Sequence, residues 1–180
     1  MNRICLLPLG SIPQQVLSEL ANGINAGYRL PCEVLPSEPD PVFAFNVTRQ
    51  QYSSTEILAA VAKRCAPGGG RLLVVTPVDL YIPILTFVFG EAQLHGSAAV
   101  VSFHRLRQEF YGLPADEKIL RQRLLKEAIH ELGHTLALPH CDDYECVMAP
   151  SHAVEWIDLK THRFCVECSG NVTKATSASV

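Results

Sequence analysis

The chain has 180 residues, of which 48% are hydrophobic, and a formal net charge of −3. A chain of this size and composition buries a sizeable core as one domain, which excludes a globally disordered protein. The 15 Lys and Arg residues are scattered along the sequence, so we expect neither nucleic acid nor an acidic membrane surface as a partner.

The N-terminal segment and the cysteines indicate a compartment. Residues 4–8 are the only apolar run near the start, and they are too few for a signal peptide or a membrane span. We therefore expect a cytoplasmic protein. In a reducing compartment, the four cysteines that follow Pro139 are typical of metal ligands, whereas Cys5, Cys32 and Cys65 are typical of small buried hydrophobic residues.

Short apolar strands and amphipathic helices alternate along the first half of the chain. Strands are predicted at residues 3–7, 32–35, 42–45 and 71–76. The last is a continuous apolar run, which suits a central strand covered on both faces. Ser11 is predicted to cap the first helix, which should end between Gly23 and Gly27, and Thr55 to open the second. The glycines at 68–70 are predicted to form a loop, because no Gly-Lys-Ser/Thr follows them.

The second half is predicted to add a hairpin and a long helix. Residues 87–89 and 98–102 would form the hairpin, joined by a turn region at residues 90–96. The helix should begin after Asp116, which is its predicted cap, and should place an apolar stripe on the sheet. The opposite stripe faces a cleft and includes Glu127, which we expect to be solvated, the alternative being that it supports the metal ligands.

The stretch from His130 to Met148 reads HELGHTLALPHCDDYECVM. His130 and His134 lie four residues apart, so on a helix they share one face with Glu131 beside them, which is zinc-ligand spacing. His140 follows six residues later, so the chain must turn to bring it back. Three imidazoles that leave a fourth position to water are the pattern of a catalytic rather than a structural zinc.

A second group of candidate ligands follows at C-x4-C and C-x2-C spacing, namely Cys141, Cys146, Cys165 and Cys168. This spacing indicates a closed structural zinc site, and the alternative is four unrelated buried thiols. Residues 141–168 are too few to bury a core of their own, so a bound zinc would supply the missing stability. Residues 169–180 are small and polar, and we expect a disordered tail there.

The His-Glu-x-x-His motif, with a third histidine six residues later and a methionine beyond it, resembles the metzincin clan of zinc peptidases. Cys141, Cys146 and the C-x2-C pair narrow the resemblance to the archaemetzincins, and it extends upstream through residues 89–92 and 102–106. The resemblance implies that Met148 is the methionine of the Met-turn beneath the metal. It also implies two zinc ions, one catalytic and one structural.

The elements and the resemblance together imply an α+β fold of α/β-like, metzincin-like character. We expect a mixed twisted β-sheet with an antiparallel edge strand, packed by a backing helix and an active-site helix. Residues 1–140 would form the catalytic subdomain, and residues 141–168 a small zinc-stapled C-terminal subdomain. The strand at 98–102 is the candidate edge to which an extended peptide or protein substrate would pair, and we expect a monomer.

The backbone conformation at Ala137 and the packing at Gly133 can also be predicted. Metzincins place glycine where this chain has Ala137, so a positive φ there would cost alanine roughly 1–2 kcal/mol. Pro139 forces Leu138 towards an extended conformation, so we expect the turn to survive with a strained or altered cap. Gly133 inside the helix costs about 1 kcal/mol relative to alanine, which indicates that something packs closely there.

These residues lead to the hypothesis of a zinc metallopeptidase. Zinc held by the three histidines would lower the pKa of water towards about 7, and Glu131 would take its proton as the peptide carbonyl is attacked. The alternative is a zinc protein of this fold with a binding or scaffold role and little proteolysis, which Ala137 favours mildly. A zinc-ribbon nucleic-acid binder is disfavoured by the few basic residues around the cysteines. The remaining histidines are predicted to be surface or loop residues: His95, His104, His152 and His162.

Overall fold

The computed structural model describes residues 3–64 and 70–177. The expectations for Cys65 and for the first two glycines of the 68–70 loop therefore lie outside the described residues. The helices are α1 (Gln14–Tyr28), α2 (Ser54–Val61), α3 (Glu117–Thr135), α4 (Val154–Leu159) and α5 (Val166–Ser177), with 3₁₀ turns at Val42–Ala44, Ala62–Arg64 and Gln108–Tyr111. The strands are β1 (Ile4–Pro8), β2 (Cys32–Val34), β3 (Phe45–Asn46), β4 (Gln51–Ser53), β5 (Arg71–Thr76), β6 (Leu80–Tyr81), β7 (Gly90–Ala92) and β8 (Ala98–Ser102).

The main sheet has the strand order β2-β1-β5-β8-β7. Strands β2, β1, β5 and β8 are parallel, and β7 is antiparallel to β8. The mixed sheet of the predicted α+β fold is thus confirmed. Strands β3, β4 and β6 form a second, smaller sheet.

Strand β8 is not at the edge of the sheet, contrary to the prediction. It pairs with β5 on one side and with β7 on the other, so its backbone groups are already engaged. The last strand of the sheet is β7, which begins one residue after the segment predicted as a strand at 87–89. The sequence did not reveal this order because the apolar run of β8 fits an interior strand as well as an edge strand.

The core lies on both faces of the sheet. On the central strand β5, Leu73 and Val75 face helices α1 and α3, whereas Leu72 and Val74 face α2. All four side chains are at most 3% exposed. The prediction that the strand at 71–76 is covered on both faces is therefore confirmed.

Helix α1 ends at Tyr28, close to the predicted end near Gly23 to Gly27, but neither glycine provides the left-handed exit. Gly23 and Gly27 both face α3, and a Cβ at Gly23 would lie 2.6 Å from Cδ1 of Leu125. The two glycines therefore permit a close approach of two helices instead of ending one. The C-cap residue is Arg29, which is left-handed with φ 55°, and the residue at the start of the helix is Pro13, with no side-chain cap. Ser11 is thus not the cap.

Three local predictions are corrected by packing or capping. Residues 42–44 form a 3₁₀ turn rather than a strand. Helix α2 starts one residue before Thr55 and is capped by Ser53, whose Oγ accepts from the N–H of Glu56. The expected disordered tail is a helix, α5, as far as Ser177, because Val172 packs into the core with 6% of its surface exposed.

Helix α3 carries the histidine motif and begins as predicted. The carboxylate of Asp116 accepts from the N–H of Ile119 at 2.9 Å. Midway along the helix, the buried hydroxyl of Tyr28 donates to the carbonyl of Ile129 at 2.7 Å. Helices α1 and α3 are therefore joined by a polar contact one residue before His130. Across residues 3–64 and 70–177, no helix is long and apolar enough to cross a membrane.

Candidate metal centre

The C-terminal end of helix α3 returns the chain towards the first two histidines. Ala137 has φ 68°, so the predicted positive φ at this alanine is confirmed. Its N–H donates to the carbonyl of His134 at 2.9 Å, and the N–H of Leu138 donates to that of Gly133 at 3.2 Å. This pair of bonds forms a Schellman motif, which ends the helix although alanine occupies the left-handed position.

The three predicted histidine ligands lie together beyond this turn. One ligating nitrogen from each lies within 4.8 Å of the others. The centroid of the His140 ring lies 5.2 Å from that of His130 and 5.0 Å from that of His134. His130 is buried, whereas His140 is exposed. The cluster is therefore closed on the helix side and open on the side of His140.

Hydrogen bonds to carbonyl groups fix the orientation of two of the rings. Nδ1 of His130 donates to the carbonyl of Val147 at 2.9 Å, and Nδ1 of His134 donates to that of Leu138 at 2.7 Å. Each neutral ring then presents the lone pair of its Nε2, and these two atoms lie 3.0 Å apart. Two lone pairs at this distance repel unless a cation binds both, so the residues present fit a metal ion.

Burial keeps these imidazoles neutral, as metal ligands must be. It is the largest cause that lowers the pKa of His130 well below its usual range, and the charge of Lys160 adds to the effect. Burial likewise lowers the pKa of His134 and of His140. All three nitrogens are thus available as lone-pair donors at neutral pH.

Glu131 lies beside the cluster, against the end strand of the sheet. It is 6% exposed, and burial raises the pKa of its carboxyl well above the usual range, with a further contribution from the charge of Glu127. A Cβ at Gly90 of β7 would lie 2.6 Å from Cγ of Glu131 and 2.6 Å from the carbonyl oxygen of Val100. Only glycine therefore leaves room for this glutamate between α3 and β7.

Met148 is completely buried against helix α3, at Gly133. A Cβ at Gly133 would lie 3.0 Å from its Cε and closer still to its Sδ. The prediction that something packs closely against Gly133 is confirmed, and the neighbour is this methionine. The missing Cβ lets the thioether lie directly on the helix between the two turns that carry the histidines.

The four cysteines of the predicted second site also converge. Their sulfur atoms lie within 4.8 Å of one another, and those of Cys141 and Cys165 are 3.9 Å apart. The N–H of Cys165 donates to the sulfur of Cys146 at 3.3 Å, and the N–H of Cys168 to that of Cys165 at 3.5 Å. The bond from Cys168 is the largest cause that lowers the pKa of Cys165. This backbone donor stabilises the thiolate of Cys165, which is its metal-binding form, whereas burial raises the pKa of Cys141 and of Cys168.

Comparison with known proteins decides the family. The family model "Peptidase family M54" matches residues 67–174, which is more than half of the chain. The chain belongs to peptidase family M54. The archaemetzincin of Methanocaldococcus jannaschii is 43% identical over 166 residues, which cover 92% of this chain and 90% of that protein. The resemblance to archaemetzincins is thereby confirmed.

Solved structures of similar proteins share the fold of this M54 peptidase. The archaemetzincin of Archaeoglobus fulgidus, complexed with malonate, is 38% identical with a TM-score of 0.80, covering 94% of this chain and 99% of that one. A zinc-dependent peptidase from Methanocorpusculum labreanum is 29% identical with a TM-score of 0.87, covering 94% and 99%. The likeness therefore spans nearly the whole chain.

A cleft of about 410 Å³ runs past the histidines of the M54 chain. Gly90, Glu91 and Ala92 of β7 line it on one side, together with an apolar segment at residues 85–89, and His152 lies on the other. The other histidines outside the motif take no part in the cluster: His95, His104 and His162. The predicted exposure of His152 is confirmed. His152 and His162 are also close enough in sequence to the histidine motif to compete as ligands, and of the two His152 lines the cleft without joining the cluster.

The position of Glu127 contradicts the prediction that it is solvated, and its partner, Lys160, was not identified from the sequence. Glu127 is 3% exposed rather than solvated, and its Oε1 lies 2.8 Å from Nζ of Lys160, whose side chain is fully buried. Nothing in the pattern around Lys160 distinguishes it from a surface lysine. The only usable signal was that Glu127 shares the helix face of His130 and therefore needed a partner away from water.

Proposed function

We propose that this M54 peptidase is zinc-dependent and that His130, His134 and His140 hold the zinc ion. The observation that carries the proposal is the orientation of His130 and His134, whose Nδ1 atoms are used by carbonyl groups and whose Nε2 atoms face each other at 3.0 Å. This is the arrangement in which neutral imidazoles bind a divalent metal. The similar peptidase from Methanocorpusculum labreanum is itself zinc-dependent.

Glu131 is the proposed general base. When bound, zinc polarises the scissile carbonyl and makes a water molecule acidic enough to attack at neutral pH. Glu131 lines the cleft beside the ligands, accepts the proton of that water and passes it to the leaving amine.

The substrate is proposed to bind as an extended strand along β7. This strand lines the cleft, and the main sheet engages it on one side only, through β8. An extended peptide would pair with its other side through backbone hydrogen bonds. This assignment replaces the strand at 98–102, which lies inside the sheet.

A second, structural zinc is proposed at the four cysteines. His140 and Cys141 are consecutive, and the N–H of Cys141 donates to the carbonyl of Met148 at 3.0 Å. The cysteine site therefore fixes the chain just past the helix turn. We expect the Cys141→Ser variant to lose metal from both sites, and unchanged occupancy of the histidine site would refute this coupling.

The proposed subdomain boundary follows from the same contacts. Residues 1–140 form the catalytic subdomain, and the smaller subdomain starts at residue 141. It extends through α5 to residue 177, because Cys168 and Val172 both pack into the core.

The Glu131→Gln variant tests the peptidase mechanism. Loss of a general base should lower the turnover of peptides by about 10²–10⁴-fold, while zinc content stays the same. Glu117→Gln is the matched control, because Glu117 lies on the same helix but is exposed in its first turn. Full activity of Glu131→Gln would refute the assignment. Absence of turnover in the unsubstituted protein on a broad peptide library would favour the scaffold alternative.

A further inference from the structure

A lysine is completely buried behind the histidine cluster. The side chain of Lys160 is 0% exposed, and that of its partner Glu127 is 4% exposed. Nζ of Lys160 lies 2.8 Å from Oε1 of Glu127 and donates to the carbonyl of Ala149 at 3.1 Å. The hydroxyl of Ser151 donates to the same carboxylate oxygen at 3.3 Å. Both charges are thus fully engaged within the protein.

Stability alone does not account for such a pair. The cost of removing two charges from water often exceeds their mutual attraction, so apolar residues of similar volume stabilise a fold equally well or better. The position of the pair is more informative. Glu127 precedes His130 by three residues and Glu131 by four on helix α3, so all three share one face.

The lysine also binds the segment that orients His130. Its Nζ lies 3.5 Å from Nδ1 of His130. That Nδ1 donates to the carbonyl of Val147, two residues before the Ala149 carbonyl that Lys160 holds. An ammonium group has no lone pair and therefore cannot accept from Nδ1, so the Val147 carbonyl is the acceptor that fixes the ring.

We propose that the Lys160–Glu127 pair is a positioning device for the metal centre. It ties residues 147–151 to helix α3, which keeps the carbonyl of Val147 on Nδ1 of His130 and thereby aims Nε2 of that ring at the metal. Lys160 and Glu127 are positioning residues, because they act through His130 rather than on the substrate. The inference rests on the proposed function, since it requires a metal at the three histidines.

Metal affinity of the histidine site, measured by chelator competition with Co²⁺ in the full-length protein, tests the proposal. The Lys160→Met variant keeps the length of the side chain and removes the donor. We expect it to bind Co²⁺ at the histidine site about 10–100-fold more weakly, as for other groups that orient a ligand, with an altered visible absorption band. The four-cysteine site serves as an internal control for folding, because its occupancy should not change.

Two further variants separate positioning from stability. The Glu127→Gln/Lys160→Met double variant leaves no unpaired charge, so it should regain stability towards denaturant but not metal affinity. Arg123→Met removes another ion pair of α3, which is partly buried and in which Nη2 of Arg123 lies 2.6 Å from Oδ2 of Asp158 on α4. That pair does not contact His130, so its loss should lower stability and leave Co²⁺ affinity unchanged.

The expected loss of Co²⁺ affinity in Lys160→Met is about tenfold or more, so an affinity within about threefold of that of the unsubstituted protein would overturn the proposal. The proposal is also overturned if Arg123→Met loses as much affinity, or if the double variant regains affinity together with stability. A histidine site that binds no Co²⁺ in the unsubstituted protein would instead refute the proposed metal centre, so the two failures are distinguishable.

Discussion

The Ala137→Gly substitution would relieve strain at the turn that returns His140 to the cluster. Ala137 has φ 68°, a left-handed conformation in which Cβ crowds the following carbonyl. The N–H groups of Ala137 and Leu138 both donate to carbonyls in the last turn of α3, so the surrounding hydrogen bonds hold the alanine in this conformation. Glycine would adopt it without steric cost.

The expected gain is the difference of two terms. Relief of the left-handed conformation is worth about 1–2 kcal/mol. The greater freedom of glycine in the unfolded chain costs about 0.5–1 kcal/mol. The net stabilisation should therefore lie between about 0 and 1.5 kcal/mol, with a midpoint near 0.75 kcal/mol, which raises the melting temperature of a chain of this size by up to roughly 6 °C.

Thermal and urea unfolding of the metal-free protein measure this difference directly. Ala59→Gly is the control, because Ala59 is exposed within helix α2 and the same chemical change there should cost about 1 kcal/mol. The two variants should thus differ in sign. Equal destabilisation by both would show that Ala137 is not strained, and would refute the argument.

Three further changes have defined outcomes. Gly90→Ala should push Glu131 out of place and lower peptide turnover by about 10²-fold without loss of metal, in a steady-state assay with metal analysis. Gly133→Ala should cost about 1–3 kcal/mol in urea unfolding by displacing Met148, and the same substitution should cost less in a Met148→Ala background, where the clashing side chain is absent. Acidification below about pH 6.5 should destabilise the metal-free protein. Because the pKa of His130 is lower in the folded protein than in the unfolded chain, the unfolded chain binds more protons at this residue, and stability rises with pH.

Each of these outcomes has its own control. Gly170→Ala in helix α5 places a Cβ where nothing lies within 4 Å, so it should leave turnover unchanged and gain up to about 1 kcal/mol. The pH series is best made in Glu131→Gln, because the raised pKa of this carboxyl gives a slope of the opposite sign. The lowered pKa values of His134 and His140 leave part of the slope in place, so His130→Gln should reduce the slope rather than abolish it. An unchanged pH slope after His130→Gln, or a Gly133→Ala variant as stable as the parent, would contradict the corresponding argument.

The clustering of the candidate ligands and the cap of α3 could be predicted from the sequence because local geometry determines them. Residues four apart on a helix share a face, so His130 and His134 lie side by side because both belong to α3. Ala137 could be assigned a positive φ because a helix that must turn back within a few residues commonly needs a left-handed residue there. The tightly spaced cysteines followed the same logic of short-range spacing.

Features that depend on residues distant in sequence could not be predicted in this way. Strand β8 lies inside the sheet because β5 pairs with one of its edges and β7 with the other. The sequence of β8 itself does not indicate which strands are its neighbours. Lys160 is buried because Glu127, on another element, is present to pair with it. Gly23 and Gly27 were likewise interpreted as a helix end. Their role is to let α3 pack closely against α1, and α3 lies about a hundred residues later in the sequence.

The shortness of β7 has a consequence for selectivity. Any open sheet edge can recruit another extended chain, including a second copy of the same protein. Strand β7 has only three residues, so it offers few backbone hydrogen bonds to a bound peptide. Each such bond contributes a net free energy of roughly 0.5–1.5 kcal/mol. Main-chain pairing alone therefore gives a complex too weak to persist. The choice of which chains are retained in the cleft falls to side chains, and Leu85, Phe87 and Val88 are the accessible apolar surface on which that choice would be made.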